Sequence, residues 1–299
     1  MPHVHANGID VHYTVEGAGP PLVMLHGATS SAVEDFAAQR PAFRKAFRVH
    51  LVDARGHAGT RWEVGGGFDR DMLVDDLLAF VDALGLETFH LLGFSMGAMT
   101  ALTFATRHPE RLRTAVISGI DIQREPRTSV AKRLMDPERI EREEPEWAAQ
   151  LERRHGPVQG TGAWKRLLPA IVDDVATARL LTFEELRRIQ LPVLLVYGDR
   201  DVFVPIDHAA AIHKQLPDSR LFIAPNSPHQ VMASQPALFN VAAANFYRST
   251  EAVARRRAEQ GARQAIESEA PKLGVGAALY DPTAVVADST DGDEPFNNW

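Results

Sequence analysis

Short, uninterrupted apolar runs alternate with segments of helical periodicity along most of this chain. Near the start, residues 4–6 and 9–13 flank Asn7-Gly8, a dipeptide suited to the tight turn of a β-hairpin. Residues 22–25 and, save for His50, 49–52 are apolar without alternation, as strands buried on both faces are, and they end at His26-Gly27 and Asp53. Met72, Leu73, Leu77, Phe80, Val81 and Leu84 then recur at the spacing of an amphipathic helix that stops at Gly85. The rhythm continues with a strand at 89–92, a helix over 96–107 and a strand at 114–118. Beyond an interruption come a strand at 193–197, a helix over 209–215, a strand at 221–223 and a helix over 236–247. Strands and helices alternating in this way predict an α/β fold with a doubly wound, mostly parallel sheet, the first hairpin supplying antiparallel edge strands.

Two regions depart from the pattern. Residues 121–181 are charged and proline-containing and show no strand, yet they carry Trp147, Trp164, Leu167, Leu168 and Ile171. Lying between two strands of the core, they are read as a helical cap insertion into a core formed by 1–120 and 182–250. Residues 251–299 form a C-terminal extension, starting as an Ala/Arg/Glu-rich helix and ending, from Asp281, in a loosely attached tail. A helix from Pro236 to about Glu269 suits a homo-oligomer contact and equally a frayed monomer tail.

Composition narrows the chemistry. The formal net charge is −7, and Arg255, Arg256 and Arg257 form a basic run best read as a solvated helix face. No nucleic-acid partner is expected of such a chain. There is no cysteine, which removes disulfides, thiolate catalysis and Cys-ligated metals. No apolar stretch nears the roughly 20 residues that span a bilayer, and the first residues lack a secretory pattern. The expectation is a cytoplasmic protein without a membrane partner.

Gly93-Phe94-Ser95-Met96-Gly97 sits between an expected strand and an expected helix. This is the G-x-S-x-G elbow in the strand–turn–helix context that the motif requires. The turn pushes the Ser95 hydroxyl into the open, and side chains at 93 and 97 would collide with neighbouring backbone. Without that context Ser95 would be read as a helix N-cap flanked by turn glycines. A serine hydroxyl needs a base oriented by a third group. Downstream, Asp199 and Asp201 follow the strand at 193–197, and His229 follows the strand at 221–223. All three therefore belong to C-terminal strand ends, where open α/β sheets place their sites.

These segments resemble the α/β-hydrolase superfamily, in its branch of small esterases, lactonases, C–C bond hydrolases and cofactor-free haloperoxidase-like enzymes. The resemblance rests on His26-Gly27-Ala28, the segment from Asp53 to Gly59, the elbow, His108-Pro109-Glu110-Arg111-Leu112, the segment from Gly198 to Pro205, and His229. It implies that Asp201 is the acid and His229 the base, with backbone N–H groups of Ala28 and Met96 forming the oxyanion hole. It implies no cofactor and no metal, and Ser95 at the elbow separates the chain from the members that carry Asp there. A small to medium carboxylic ester or lactone is the expected substrate, with C–C bond hydrolysis and perhydrolysis as alternatives. A small-molecule receptor on the same fold is the alternative of another class.

Other candidates read differently. Asp121, after the strand at 114–118, competes with Asp201 and Asp199 as the triad acid. Asp53, Arg55 and the His26 ring read as structural, whereas His57 stands where the pattern departs from the family and is placed at the substrate entrance. His3, His5 and His12 suggest a metal cluster, but an exposed strand pair is the preferred reading. Arg124 and Arg127 are read as solvated charges rather than an anion clamp.

Overall fold

A computed structural model describes residues 2–63 and 67–269 of the chain. The hairpin forms as β1 (His3–Ala6) and β2 (Ile9–Glu16), with Asn7 and Gly8 both at positive φ, +48° and +75°. That pair of left-handed residues matches the twist of the flanking strands. There follow β3 (Pro21–Leu25), α1 (Ala32–Asp35), α2 (Arg40–Phe43), β4 (Arg48–Val52), α3 (Arg70–Ala83), β5 (Phe89–Phe94), α4 (Met96–Arg107) and β6 (Leu112–Ser118). Helices α5 (Arg127–Leu134), α6 (Pro137–Glu143), α7 (Pro145–Gln159) and α8 (Trp164–Thr177) occupy the interval 121–181 in which no strand was expected, and α9 (Phe183–Arg187) follows it. The chain then runs through β7 (Val193–Gly198), α10 (Ile206–Gln215), β8 (Ser219–Ala224), α11 (Val231–Ser234) and α12 (Pro236–Glu269).

The strands form one sheet in the order β1-β2-β4-β3-β5-β6-β7-β8. Pairing is antiparallel for β1 with β2 and β2 with β4, and parallel from β4 to β8. The apolar runs are explained by two cores, one on each face. Val23, Leu25, Leu91, Ile117, Val193 and Leu195 point into one, beside α3 and α4 residues such as Phe80 and Leu102. Leu22, Met24, Leu92, Val116, Leu194 and Val196 point into the other, beside Phe36, Phe43, Phe239 and Tyr247. Successive strand residues face opposite ways, so a strand covered on both faces is apolar at most positions, with buried exceptions such as His50 and His90. Each such Leu, Val or Ile contributes roughly 1.5–3 kcal/mol by leaving water.

By its internal contacts the chain divides into two units, Met1–Val253 and Ala254–Trp299. The first holds the whole sheet and α5–α9; the described residues of the second are helical. The tail expected from Asp281 onward lies outside the described residues. No helix among the described residues is long and apolar enough to cross a membrane.

Candidate active site

The C-terminal ends of β3, β5, β6, β7 and β8 lead into the loops that surround Ser95. The serine follows β5 at φ +50°, ψ −112°, a conformation that non-glycine residues rarely adopt. The glycines around it permit the turn: a Cβ at Gly93 would overlap the Gly97 carbonyl, and one at Gly97 would overlap the Leu25 carbonyl of β3. Ser95 N–H donates to the Ser118 carbonyl at the end of β6 (2.9 Å), which fixes the elbow to the neighbouring strand.

The Ser95 hydroxyl donates to His229 Nε2 at 2.9 Å, and His229 Nδ1 donates to Asp201 Oδ2 at 2.7 Å. The Asp201 carboxylate is shielded from solvent, while the imidazole is 14% exposed. Its other oxygen accepts from the N–H groups of Phe203 (2.8 Å) and Val204 (3.2 Å), so the loop after β7 holds the carboxylate in place. Phe94 and Phe203 flank the imidazole, with ring centroids 5.0 and 4.5 Å away. The competing acids are occupied elsewhere. Asp121 accepts from His208 Nδ1 (2.7 Å) and from the Gln123 N–H, and Asp199 accepts from the Ser227 N–H.

Ala28, Met96, Ser95 and His229 line one pocket. Met96 opens α4, so its N–H belongs to the first turn, which has no intrahelical acceptor. Gly27 N–H donates to Asp35 Oδ2 (2.8 Å), fixing the loop that presents Ala28. Burial pushes the Asp35 carboxyl up despite the nearby His26. His26 is buried, donating from Nδ1 to the Gly27 carbonyl and accepting from the Ala54 N–H, which is the structural role expected of its ring. Two chambers open from Ser95. One is apolar, walled by Leu134, Met135, Ile140, Trp147, Leu168 and Phe203. The other holds Arg70, Arg127 and Asp174 among apolar walls.

Several expectations need correction. His57 does not face the entrance: it is fully buried, with rings of His26 and His155 at 5.0 and 5.5 Å, and burial together with those neighbours holds it well below the usual histidine range. His12 is not exposed on the hairpin but buried, donating from Nδ1 to Asp53 Oδ2 at 2.7 Å. Among the described residues no group of three potential metal ligands converges. Asp53 also accepts from the Ala32 and Gly59 N–H groups, and Arg55 makes a two-point ion pair with Asp76, in keeping with their structural reading. Arg124 is not simply solvated, since it donates to the carbonyls of Val175, Ala176 and Ala178 at the end of α8. Arg127 is buried inside the site. The signal for Arg127 was faint: it shares the inward side of α5 with Ala131, four residues on.

Residues 20–156 match the family described as alpha/beta hydrolase fold. The chain is 30% identical over 257 residues to the human serine hydrolase BPHL, covering 81% of this chain and 84% of that protein. It is 35% identical over 116 residues to the 2-hydroxymuconate semialdehyde hydrolase of Pseudomonas sp. strain CF600, covering 38% of this chain and 41% of that one. The solved enol-lactonase of Burkholderia xenovorans LB400 superposes with a TM-score of 0.66 at 20% identity, covering 82% of this chain and 99% of that one. The chain belongs to the α/β-hydrolase family, and it is an enzyme of the hydrolase class.

Proposed function

We propose that the protein is a serine hydrolase that cleaves a small to medium carboxylic ester or lactone through Ser95, His229 and Asp201, forming an acyl-enzyme. The observation that carries this reading is the unbroken chain of hydrogen bonds from Asp201 through His229 to Ser95, at 2.7 and 2.9 Å, opening on a pocket beside two candidate oxyanion donors. In the first half-reaction Ser95 Oγ attacks the carbonyl carbon while its proton passes to His229 Nε2. Asp201 keeps the ring in the tautomer with Nδ1 protonated and stabilises the imidazolium. The Ala28 and Met96 N–H groups hold the oxyanion, a contribution of about 3–4 kcal/mol for each well-placed donor. The intermediate collapses, and His229 protonates the departing alkoxide, or the ring oxygen of a lactone. Water then attacks the acyl-enzyme with His229 as base, releasing the acid and restoring Ser95. Helices α5–α8 act as a cap, since residues from each of them wall the two chambers.

C–C bond hydrolysis uses the same residues, and the similarity to a 2-hydroxymuconate semialdehyde hydrolase favours it as a second reading. A screen over alkyl esters, lactones and vinylogous diketones separates the two. Fluorophosphonate labelling followed by peptide mass spectrometry should place one adduct, on Ser95. An adduct on another serine, or none on folded protein, would remove the basis of both readings.

A further inference from the structure

Arg127 is the first residue of α5 and is 9% exposed, yet its guanidinium has no hydrogen-bond or ion-pair partner among the described residues; Nε and Nη2 are fully buried and unmatched. A buried charge without a partner is among the more costly features a fold can carry. The helix makes matters worse, because the N-terminal end of α5 carries the positive pole of its dipole. Neighbouring carboxylates attract it at a distance but make no hydrogen bond or ion pair with it. Asp174 is taken by Arg70, through the backbone N–H (2.9 Å) and Nη2 (3.2 Å), and Asp121 by His208. Three guanidinium groups, of Arg70, Arg124 and Arg127, stand near those two carboxylates; Asp71, which also acts on Arg70, is paired with Arg107, and Arg124 is held on the last carbonyls of α8. Counting the Arg107–Asp71 pair, four guanidinium groups stand against three carboxylates, one positive charge in excess, and Arg70, Arg127 and Asp174 line the pocket that contains Ser95 and His229.

We propose that Arg127 is a carboxylate-binding subsite, so that the substrate is an ester or lactone bearing one free carboxylate. This rests on the ester-hydrolase reading given above. A planar guanidinium presents paired N–H donors that match a carboxylate in two-point fashion, and a single excess charge matches a monoanion. Burial and the adjacent Arg70 push Arg127 down to about 10, which leaves it charged at neutral pH. The neighbouring apolar walls, Met99, Ile120, Met135, Ile171 and Val175, suit a hydrocarbon spacer between the carboxylate and the reacting carbonyl.

The test uses matched pairs with the charge on either side of the scissile bond: monomethyl adipate against methyl hexanoate, and 6-acetoxyhexanoate against hexyl acetate. Wild-type kcat/KM should favour the anionic member of at least one pair by roughly 10-fold or more. Arg127→Met should remove that preference, a loss of roughly 10-fold or more, chiefly through KM, and Arg127→Lys should restore part of it. Calorimetry with hexanoate on Ser95→Ala protein gives a reading independent of turnover, and adding Arg127→Met should weaken binding at least roughly 10-fold. Arg127-dependent hexanoate binding without hydrolysis of any ester would sink the ester reading and leave the subsite standing. Ready hydrolysis with no charge preference in either pair, and hexanoate binding that ignores Arg127, would overturn the subsite. An equal loss on both members of each pair with a lowered Tm would mark Arg127 as merely structural and overturn it too.

Discussion

Ser95 sits at φ +50° with its N–H fixed to Ser118 and its hydroxyl to His229, so the backbone strain and the proposed chemistry are two sides of one turn. Strained conformations of this kind cost of order 1–3 kcal/mol and persist only where the surroundings enforce them. Glycine occupies that region freely. Ser95→Gly is therefore expected to abolish turnover while raising stability by about 1 kcal/mol, read from urea unfolding midpoints. Unchanged or lowered stability would mean that the elbow is not strained. The acid is tested at the same scale. Asp201→Asn preserves volume but favours the wrong His229 tautomer, and kcat should fall by up to about 10⁴-fold. Asp121→Asn and Asp199→Asn leave the His229 contact untouched and should retain most activity, because their partners are His208 and Ser227. Steady-state kcat on the three folded variants decides among them; collapse of Asp121→Asn with a near-normal Asp201→Asn would move the acid.

At the scale of elements, α7 reaches across to the loop that presents Ala28. Arg154 Nη1 donates to the Thr29 carbonyl at 2.5 Å, His155 Nε2 donates to the same oxygen at 3.2 Å, and Arg154 also pairs with Glu34. Thr29 has φ +68°, so this loop is itself held against its preference. Arg154→Ala should release it and misplace the Ala28 donor, lowering kcat roughly 10-fold with little change in KM. A KM effect alone would show that α7 shapes binding and not the oxyanion position. None of this was legible in the sequence, because Arg154 and Thr29 lie 125 positions apart and α7 carries a mostly polar surface. The strands were legible because burial on both faces leaves few polar positions, such as His50 and His90, to blur the run; 89–92 was extended only to Phe94. Ser95, the two aspartates after β7 and His229 were legible because each follows such a run directly, while choosing Asp201 over Asp199 needed family resemblance. The short helices α1 and α2 span four residues each and show no period. Arg127 and His12 were misread because their burial is decided by distant segments, α8 for one and Asp53 for the other.

For the whole molecule, histidines set the response to acid. His50, His90 and His155 are each held down to about 4, and His57 lies well below the usual range, in every case mainly by burial. They are spread over β4, β5, α7 and the loop after β4, so no single local opening can relieve them. A histidine whose folded value lies below its unfolded value, about 6.5, leaves stability untouched above that pH. As pH falls below it, the unfolded chain takes up protons that the native state refuses, and stability drops until the folded value is passed. Asp35 acts the other way: its raised carboxyl disfavours the fold at neutral pH and regains stability on acidification. It can offset at most one proton. At pH 5, four histidines against one carboxyl leave the unfolded state holding roughly three more protons than the native state. Urea midpoints should accordingly stay level from about pH 8 to 7 and fall steeply between about pH 6.5 and 4.5, with the slope of unfolding free energy against pH giving about three protons. A midpoint that stays flat down to about pH 5 would show that these rings are hydrated or charged in the native protein, and the buried-histidine account of its acid sensitivity would have to be abandoned.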